Sequence, residues 1–165
     1  MMTIQKWRNV GVILFGLFLF IPVIQAQTPF DCTQCASSTQ TVLSATEELT
    51  VTVGDAKGII MSNLENKVFN NMTTQCLSST KVMAGQRTGL IYSKFMDPDG
   101  DFVILQTTLA PGETEGNFQF LQGTGKWKGI KGSGKFRVAI LRGKPITPGT
   151  SQLCNRWTGT FELPK

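Results

Sequence analysis

Apolar and polar residues alternate along several short segments of the chain. The clearest alternation runs through 48–53, and another runs through 117–122, where Phe118 and Phe120 share one face. A period of two is typical of a half-buried β-strand, because successive side chains of a strand point to opposite faces. Further strands are predicted at 59–61, 68–76, 88–96, 101–109, 135–142 and 156–163, the last with Trp157, Phe161 and Leu163 facing inward.

The segments between these strands carry turn-forming residues. Residues 97–100, Asp-Pro-Asp-Gly, are predicted to form a hairpin turn, because proline presets φ and glycine accepts a positive φ. Other connections are predicted at 54–58, 110–116 and 145–149. About eight short strands at this spacing predict an antiparallel barrel or sandwich. Lysine, arginine and glutamate within the strands argue against a transmembrane barrel, whose strands need a continuous apolar face.

The hairpin predicted at 88–109 has apolar residues on both of its faces. Residues 90–91 and 102–105 are consecutive apolar residues, whereas a strand with one face in water should alternate. We therefore expect the outer face of this hairpin to be covered, either by the N-terminal segment or by another subunit. A homo-oligomer formed through this hairpin is the hypothesis that follows.

The N-terminus has the pattern of a cleavable signal peptide. Lys6 and Arg8 form a basic start, residues 10–21 are apolar, and the segment closes at Ala26. The apolar run is too short for a membrane anchor, which needs about twenty residues. The protein is therefore predicted to be exported, to the periplasm or the extracellular medium. Three parts are predicted: a signal peptide at 1–26, an irregular polar arm at 27–46 and a β-barrel domain at 47–165.

The composition excludes several classes of function. The chain has no histidine, which removes the commonest general base and the commonest metal ligand. Its formal net charge of +5 falls to +3 once Lys6 and Arg8 leave with the signal peptide. So weak a charge does not predict nucleic-acid binding, which requires clustered basic residues. We therefore expect no cofactor, no metal, no nucleic-acid partner and no stable membrane insertion of the mature chain.

All four cysteines follow the predicted signal peptide: Cys32, Cys35, Cys76 and Cys154. An even number of cysteines in an exported chain indicates disulfide bonds, so all four are predicted to be paired. Of the three possible pairings we favour Cys76–Cys154 together with Cys32–Cys35. The C-x-x-C spacing is also that of redox and zinc motifs. However, no strand precedes this pair, and no second close pair exists to complete a zinc site.

The most distinctive segment is the glycine-rich stretch at 123–134. From Gly129 it matches the spacing of a phosphate-binding loop, but Phe136 stands where serine or threonine should hold magnesium. A strand, rather than a helix, is also predicted to follow. We therefore interpret the stretch as a compact excursion between strands, with Trp127 and Ile130 packed inside. Three lysines of the stretch are expected to stay in solvent: Lys126, Lys128 and Lys131.

This stretch resembles the glycine-rich segment of small exported bacterial barrels related to the allene oxide cyclase and dirigent superfamily. Similar features are the lone mid-chain Cys76, a strand with Tyr92, the turn at 97–101 and the final-strand residues at 157–159. The resemblance covers roughly 45–163 and implies an all-β, antiparallel barrel of about eight strands. The plant members act on hydrophobic small molecules inside the barrel, often as oligomers. We match none of their active-site residues to positions of this chain and carry none over.

The remaining candidate sites are interpreted as structural. Asp97, Asp99 and Asp101 resemble the start of an EF-hand loop, but Pro98 and the Thr108 in place of the final glutamate do not fit it. A solvated hairpin turn is expected instead. The other candidates are the exposed pair Glu113 and Glu115, the Asn71 glycosylation sequon, and Lys135 and Arg137, which face either the barrel mouth or the solvent.

Three functions stay open, and whether the protein is an enzyme is not decided. The first is a barrel that binds a small hydrophobic molecule, since an eight-stranded barrel can hold one small ligand. The second is a cofactor-free isomerase or cyclase, whose chemistry needs few ionisable residues. The third is a structural or interaction protein with a solid core. A cavity would argue against the third, and a buried carboxylate or Tyr92 inside that cavity would favour the second.

Overall fold

A computed structural model of the chain describes residues 27–46, 48–140 and 145–164. The predicted signal peptide at 1–26 lies outside these residues. A single 3-10 turn at Gly125–Trp127 accompanies the strands. The eight strands are β1 (Thr28–Ala45), β2 (Leu49–Ser62), β3 (Met72–Met83), β4 (Gln86–Met96), β5 (Phe102–Leu109), β6 (Glu115–Gly123), β7 (Lys131–Ile140) and β8 (Thr150–Glu162).

Each strand pairs in an antiparallel way with the next, and β8 pairs with β1 to close the barrel. The seam between β1 and β8 is long, running from the Thr28–Phe161 pair to the Thr39–Thr150 pair. Closure leaves no unpaired strand edge. The fold is therefore the predicted all-β, antiparallel, eight-stranded barrel. No helix in the described part of the chain is long and apolar enough to cross a membrane.

Aromatic side chains fill the end of the barrel where β1 begins and β8 ends. Phe69, in the connection between β2 and β3, closes this end although its φ of 61° is unfavourable for a non-glycine residue. Its ring stacks on Trp127 at 4.4 Å and meets Phe30 edge-on at 4.9 Å. Each such ring pair adds about 0.5–1.5 kcal/mol beyond simple burial. The other buried rings of this core are Phe95, Phe118, Phe120, Trp157 and Phe161.

The predicted irregular arm at 27–46 is wrong, because β1 is the first strand of the barrel. Gln34 and Ser38 face the interior of the barrel, and the neighbouring Thr33 and Ser37 face outward. With polar residues on both faces, β1 shows no hydrophobic alternation, which is why its sequence resembles a loop. The barrel domain therefore begins at Thr28 and not at residue 47.

Since β1 lies within the barrel wall, it does not cover the outer face of 102–105. On that face Phe102 and Ile104 are half-buried. The Lys94 ammonium lies 4.2 Å from the centre of the Phe102 ring, a cation–π contact that shields part of the ring. The proposed cover by the N-terminal segment is therefore wrong, and cover by a second subunit stays a prediction.

The turn predicted at 54–58 is also wrong, because this segment is the middle of β2. Within β2, Gly58 serves for close strand packing and not for a turn. A Cβ atom at Gly58 would lie 2.1 Å from the carbonyl oxygen of Cys35 on β1. The glycine therefore permits two strands to approach closely, which is a known use of glycine inside sheets.

The glycine-rich stretch at 123–134 divides into a short turn and the start of β7. Trp127 and Ile130 are buried as predicted, and the three lysines are exposed as predicted. Gly134 lies within β7, so a strand follows the phosphate-loop spacing and no helix does. A Cβ atom at Gly134 would lie 2.1 Å from the Thr158 carbonyl oxygen and 2.7 Å from the Phe118 ring. The glycine thus makes room for a core ring.

The predicted disulfide pairings are wrong. The structure joins Cys35 to Cys154, and Cys32 and Cys76 are buried free thiols. Cys32 and Cys35 lie on one strand at an odd spacing, so Cys32 faces the interior and Cys35 faces outward. Cys154 stands directly opposite Cys35 across the seam between β1 and β8. The sequence does not predict this pairing, because it follows from the position of β1 beside β8 in the barrel.

Candidate functional site

The half of the barrel opposite the aromatic core encloses a cavity of about 340 Å³. It lies between the connections at one end of the barrel and the indole of Trp157 at its floor. Apolar side chains form much of its wall: Ile91, Leu109, Phe136, Val138 and Leu153.

The cavity exists because the inward positions of this half carry small residues. Ala36 and Ser38 of β1, Ala56 of β2, Ser78 of β3 and Gly89 of β4 all line it. On the same four strands, large side chains occupy inward positions of the other half: Phe30, Ile60, Met72 and Phe95. An eight-stranded barrel is just wide enough for large side chains to fill, so small ones leave a space.

A hydrogen-bonded polar cluster forms part of the cavity lining, and Gln34 is at its centre. The Gln34 side chain is 1 % exposed. Its Nε2 donates to Thr74 Oγ1 at 2.8 Å and to Cys76 Sγ at 3.1 Å. Its Oε1 accepts from Trp157 Nε1 at 3.2 Å and from Asn155 Nδ2 at 3.5 Å. Gln34 therefore uses both amide hydrogens and its carbonyl oxygen within the protein.

Two polar atoms of the lining have no such partner. Asn155 Oδ1 and Thr107 Oγ1 are buried and make no hydrogen bond within the protein. Both residues line the cavity, Asn155 from β8 and Thr107 from β5. Buried polar groups in folded proteins are nearly always satisfied. The cavity is the adjacent space from which a partner for these atoms can come.

The Cys76 thiol also lines the cavity. Burial raises its pKa above the ordinary value for a thiol, against the lowering effect of the hydrogen bond from Gln34. The thiol is therefore protonated at neutral pH. Because the thiolate is the reactive form of cysteine, burial makes Cys76 a weaker nucleophile than an exposed cysteine. Cys76 contributes a soft, weakly polar surface to the cavity.

Charged residues of the lining are confined to the cavity mouth. Arg87 of β4 and Glu113 of the connection after β5 are both exposed there. Within the described residues, no group of histidine, cysteine, aspartate and glutamate side chains is arranged to hold a metal ion. Several large apolar side chains near this end are exposed as well: Leu43, Met83 and Ile146.

The structure places most of the sequence-predicted site residues outside the cavity. Tyr92 lies on the outer surface of the barrel and is 45 % exposed. Lys135 and Arg137 are exposed on the outer face of β7. Of the pair formed by Glu113 and Glu115, only Glu113 lines the cavity. Sequence reasoning missed Gln34, Thr107 and Asn155, because a polar residue facing inward looks like one facing solvent.

Tyr92 contributes instead to a groove of about 460 Å³ on the outer surface. The groove runs across β1 to β4, and Val53, Leu77 and Leu90 line it. Leu77 is 55 % exposed. This surface adjoins the outer face of β5, because Tyr92 pairs with Leu77 on one side and with Gln106 of β5 on the other.

The 97–101 turn is a hairpin as predicted, but Asp97 is not solvated. It is buried and accepts hydrogen bonds from Trp127 Nε1 at 3.0 Å and from the backbone N–H of Asp99 at 2.9 Å. Lys126 Nζ lies 2.9 Å from its carboxylate. Burial acts to raise the pKa of Asp97, but these partners outweigh it and hold the pKa below the ordinary value. This carboxylate closes the aromatic end and does not reach the cavity.

The closed eight-stranded barrel, with one end packed and the other hollow, has the fold of the dirigent proteins. One solved relative in fold is the pterocarpan synthase dirigent protein GePTS1. Its TM-score is 0.50 at 9 % identity, and the match covers 96 % of this chain and 100 % of that one. A second is the pterocarpan synthase dirigent protein PsPTS1, with a TM-score of 0.48, 9 % identity and coverages of 82 % and 96 %. No family model and no curated protein matches the sequence.

Proposed function

We propose that the hollow half of the barrel binds one small, largely apolar molecule. The observation that carries this proposal is the cavity of about 340 Å³ with an apolar wall. Ligand pockets in proteins measure about 300–1,000 Å³ and combine apolar walls with a few polar groups. The two unpartnered atoms of Thr107 and Asn155 supply such groups.

The arrangement favours binding over catalysis. No carboxylate lies at the cavity floor among the described residues that line it, and Tyr92 lies outside. The Cys76 thiol is held in its protonated form by burial. A cofactor-free isomerase or cyclase would here have only shape and neutral hydrogen bonds to direct a reaction. That is sufficient to control the geometry of a reactive guest, a role suggested by the fold shared with pterocarpan synthase dirigent proteins.

The alternative of a solid structural barrel is not favoured, because one half of the interior is unfilled. The Cys35–Cys154 disulfide supports a location outside the cytosol, since disulfides persist in oxidising compartments. We propose that the mature domain works in the periplasm or the extracellular medium, where it meets its ligand.

A plugged cavity tests the proposal. Leu109 lines the cavity and the adjacent Thr108 is exposed on the outer face of β5. In Leu109→Trp the indole occupies the cavity, whereas Thr108→Trp adds the same group outside. We expect wild type and Thr108→Trp to enhance the fluorescence of N-phenyl-1-naphthylamine in a saturable way, with Leu109→Trp at least tenfold weaker. Equal enhancement by all three proteins would contradict binding in the barrel.

A further inference from the structure

We infer that the ligand is a neutral molecule with a hydroxyl group at its buried end, held at the cavity floor by Asn155 and Thr107. This inference rests on the proposed function and specifies the chemistry of the bound molecule. It follows from the direction of the hydrogen bonds in the polar cluster around Gln34.

The direction of these bonds is fixed by the indole of Trp157. An indole N–H only donates, so the atom of Gln34 that faces it at 3.2 Å must be the carbonyl oxygen Oε1. The Gln34 amino group therefore faces Thr74 and Cys76. Both of its hydrogens are used, and the orientation of the amide is determined.

The same logic extends to Asn155. Its side chain lies 3.5 Å from the Gln34 carbonyl oxygen, which accepts and cannot donate, so Asn155 must present its amino group there. The carbonyl oxygen Oδ1 is then the atom without a partner. Asn155 Oδ1 therefore lacks a hydrogen-bond donor, because a carbonyl oxygen only accepts.

Thr107 adds a second requirement. Its hydroxyl both donates and accepts, and it too lacks a partner. An alcohol hydroxyl satisfies both residues, since it donates to Asn155 Oδ1 and accepts from Thr107 Oγ1. An ether accepts only and leaves Asn155 unsatisfied. Sites that hydrogen-bond a hydroxyl discriminate strongly against analogues that lack one.

The distribution of charged residues around the cavity argues against a ligand carboxylate at the cavity floor. The charged residues that line the described cavity are Arg87 and Glu113, and both are at the exposed mouth. A carboxylate at the floor would be buried without a counter-charge and would face the acceptor Asn155 Oδ1. Burial of an unpaired charge is strongly unfavourable. The ligand is therefore an alcohol with an apolar body, not a fatty acid.

Three probes of equal apolar body test the inference: 1-octanol, methyl octyl ether and octanoate. Each probe is titrated into the wild-type protein loaded with N-phenyl-1-naphthylamine at pH 7. The displacement constants of the three probes are then compared. We expect 1-octanol to bind about tenfold more tightly than the ether, the value of one well-placed hydrogen bond, and octanoate to bind more weakly than both.

Two variants locate the effect. In Asn155→Leu the preference for octanol over the ether should disappear. In Thr107→Val both probes should bind about threefold more weakly, because Thr107 donates to the oxygen that both of them carry. Asn117→Leu carries the same substitution as the first variant at an exposed position of β6 and should keep the full preference and affinity. Thr107→Val keeps the shape of the side chain, so its affinities test the contact at the cavity floor if Asn155→Leu does not fold.

The outcomes separate the two levels of the proposal. If octanol and the ether bind wild type equally, water satisfies the two atoms and the inference is overturned, while ligand binding stands. Retention of the full preference by Asn155→Leu, or of the full affinity for both probes by Thr107→Val, would also overturn it. If no probe displaces the reporter and Leu109→Trp leaves reporter fluorescence unchanged, the proposed function itself has failed.

Discussion

Cys35 and Cys154 stand directly opposite each other on β1 and β8, and their disulfide links the first strand of the barrel to the last. The bond spans 119 residues. It lies on the outside of the wall segment whose inner side carries Gln34 and Asn155. The cross-link therefore fixes the seam next to the polar cluster of the cavity.

Removal of this cross-link should destabilise the barrel. A disulfide that closes a loop of this size restricts the unfolded chain, and we expect Cys35→Ser/Cys154→Ser to lower the free energy of unfolding by about 2–4 kcal/mol. Urea denaturation without reductant measures the change. Dithiothreitol should destabilise the wild type by a similar amount and leave the double variant unchanged. An unaltered midpoint in the double variant would show that the bond is absent or without effect.

The two interior thiols should ionise only at high pH. Burial raises the pKa of Cys32 to about 12, with a smaller contribution from the nearby Asp31 carboxylate, and burial also raises that of Cys76. Thiols of the unfolded chain ionise near pH 8.5. The folded state therefore holds its protons more tightly, so stability is complete below that pH and falls as the pH rises.

We expect the loss contributed by Cys32 to approach about 1.4 kcal/mol per pH unit between roughly pH 9 and 10. Denaturation midpoints measured across this interval test the expectation, with Cys32→Ala as the comparison. The variant should lose stability less steeply than the wild type. Iodoacetamide at pH 8 should label both thiols only after unfolding, and rapid labelling of the native protein would contradict their burial.

The strands with apolar alternation were predictable from the sequence, and the polar strand was not. β4, β5 and β6 were placed within two residues of their observed bounds, because their inward residues are large and apolar. β1 is not predicted as a strand, because its inward-facing Gln34 and Ser38 are polar. They therefore produce no alternation of apolar and polar residues. Along β1, the inward residues that line the hollow half are polar or small.

The same reason explains why the candidate site escaped sequence analysis. Asn155 and Thr107 come from β8 and β5, and only the closure of the barrel places them around one cavity. The glycines of β2 misled in a related way. The sequence predicts Gly54 and Gly58 as turn residues, whereas in the structure their missing side chains accommodate neighbouring strands. Sequence alone does not distinguish a glycine that permits a turn from one that permits close approach.

Gly134 should be intolerant of any side chain. A methyl group there would lie 2.1 Å from the Thr158 carbonyl oxygen and would press on the Phe118 ring. We expect Gly134→Ala to lower the free energy of unfolding by about 1–3 kcal/mol through overpacking. Ser133→Ala, at the adjacent exposed position, should change it by less than about 0.5 kcal/mol. Equal stabilities in urea denaturation would contradict the close approach of β7 and β8.

The outer apolar surface should mediate self-association. Val53, Leu77 and Tyr92 are each more than 40 % exposed, and the surface that they form adjoins the outer face of β5. We expect the mature protein to form a homo-oligomer and Leu77→Glu to dissociate it, because the substitution would bury a charge in the interface. Light scattering during size-exclusion chromatography gives the masses. Gln119→Glu, on the outer face of β6, is the charge control, and a monomeric wild type would refute the prediction.

Asp97 should make the barrel sensitive to acid. Its burial would by itself raise the pKa of the carboxyl, but hydrogen bonds from Lys126, Trp127 and the Asp99 backbone lower it below the ordinary value. A carboxyl with a depressed pKa contributes its stability above the unfolded pKa, near 3.9, and loses it as the pH falls. The native state should therefore weaken below about pH 4, as this group becomes protonated.

The neighbouring Asp99 offers a matched control for this effect, since its side chain is 76 % exposed. We expect Asp97→Asn to lower the free energy of unfolding at pH 7 by about 2 kcal/mol, the value of hydrogen bonds to a buried charge. It should also flatten the fall in stability below about pH 4. Asp99→Asn should leave the stability at pH 7 within about 0.5 kcal/mol. If both variants unfold alike at every pH, the Asp97 carboxylate does not anchor Trp127 at the closed end.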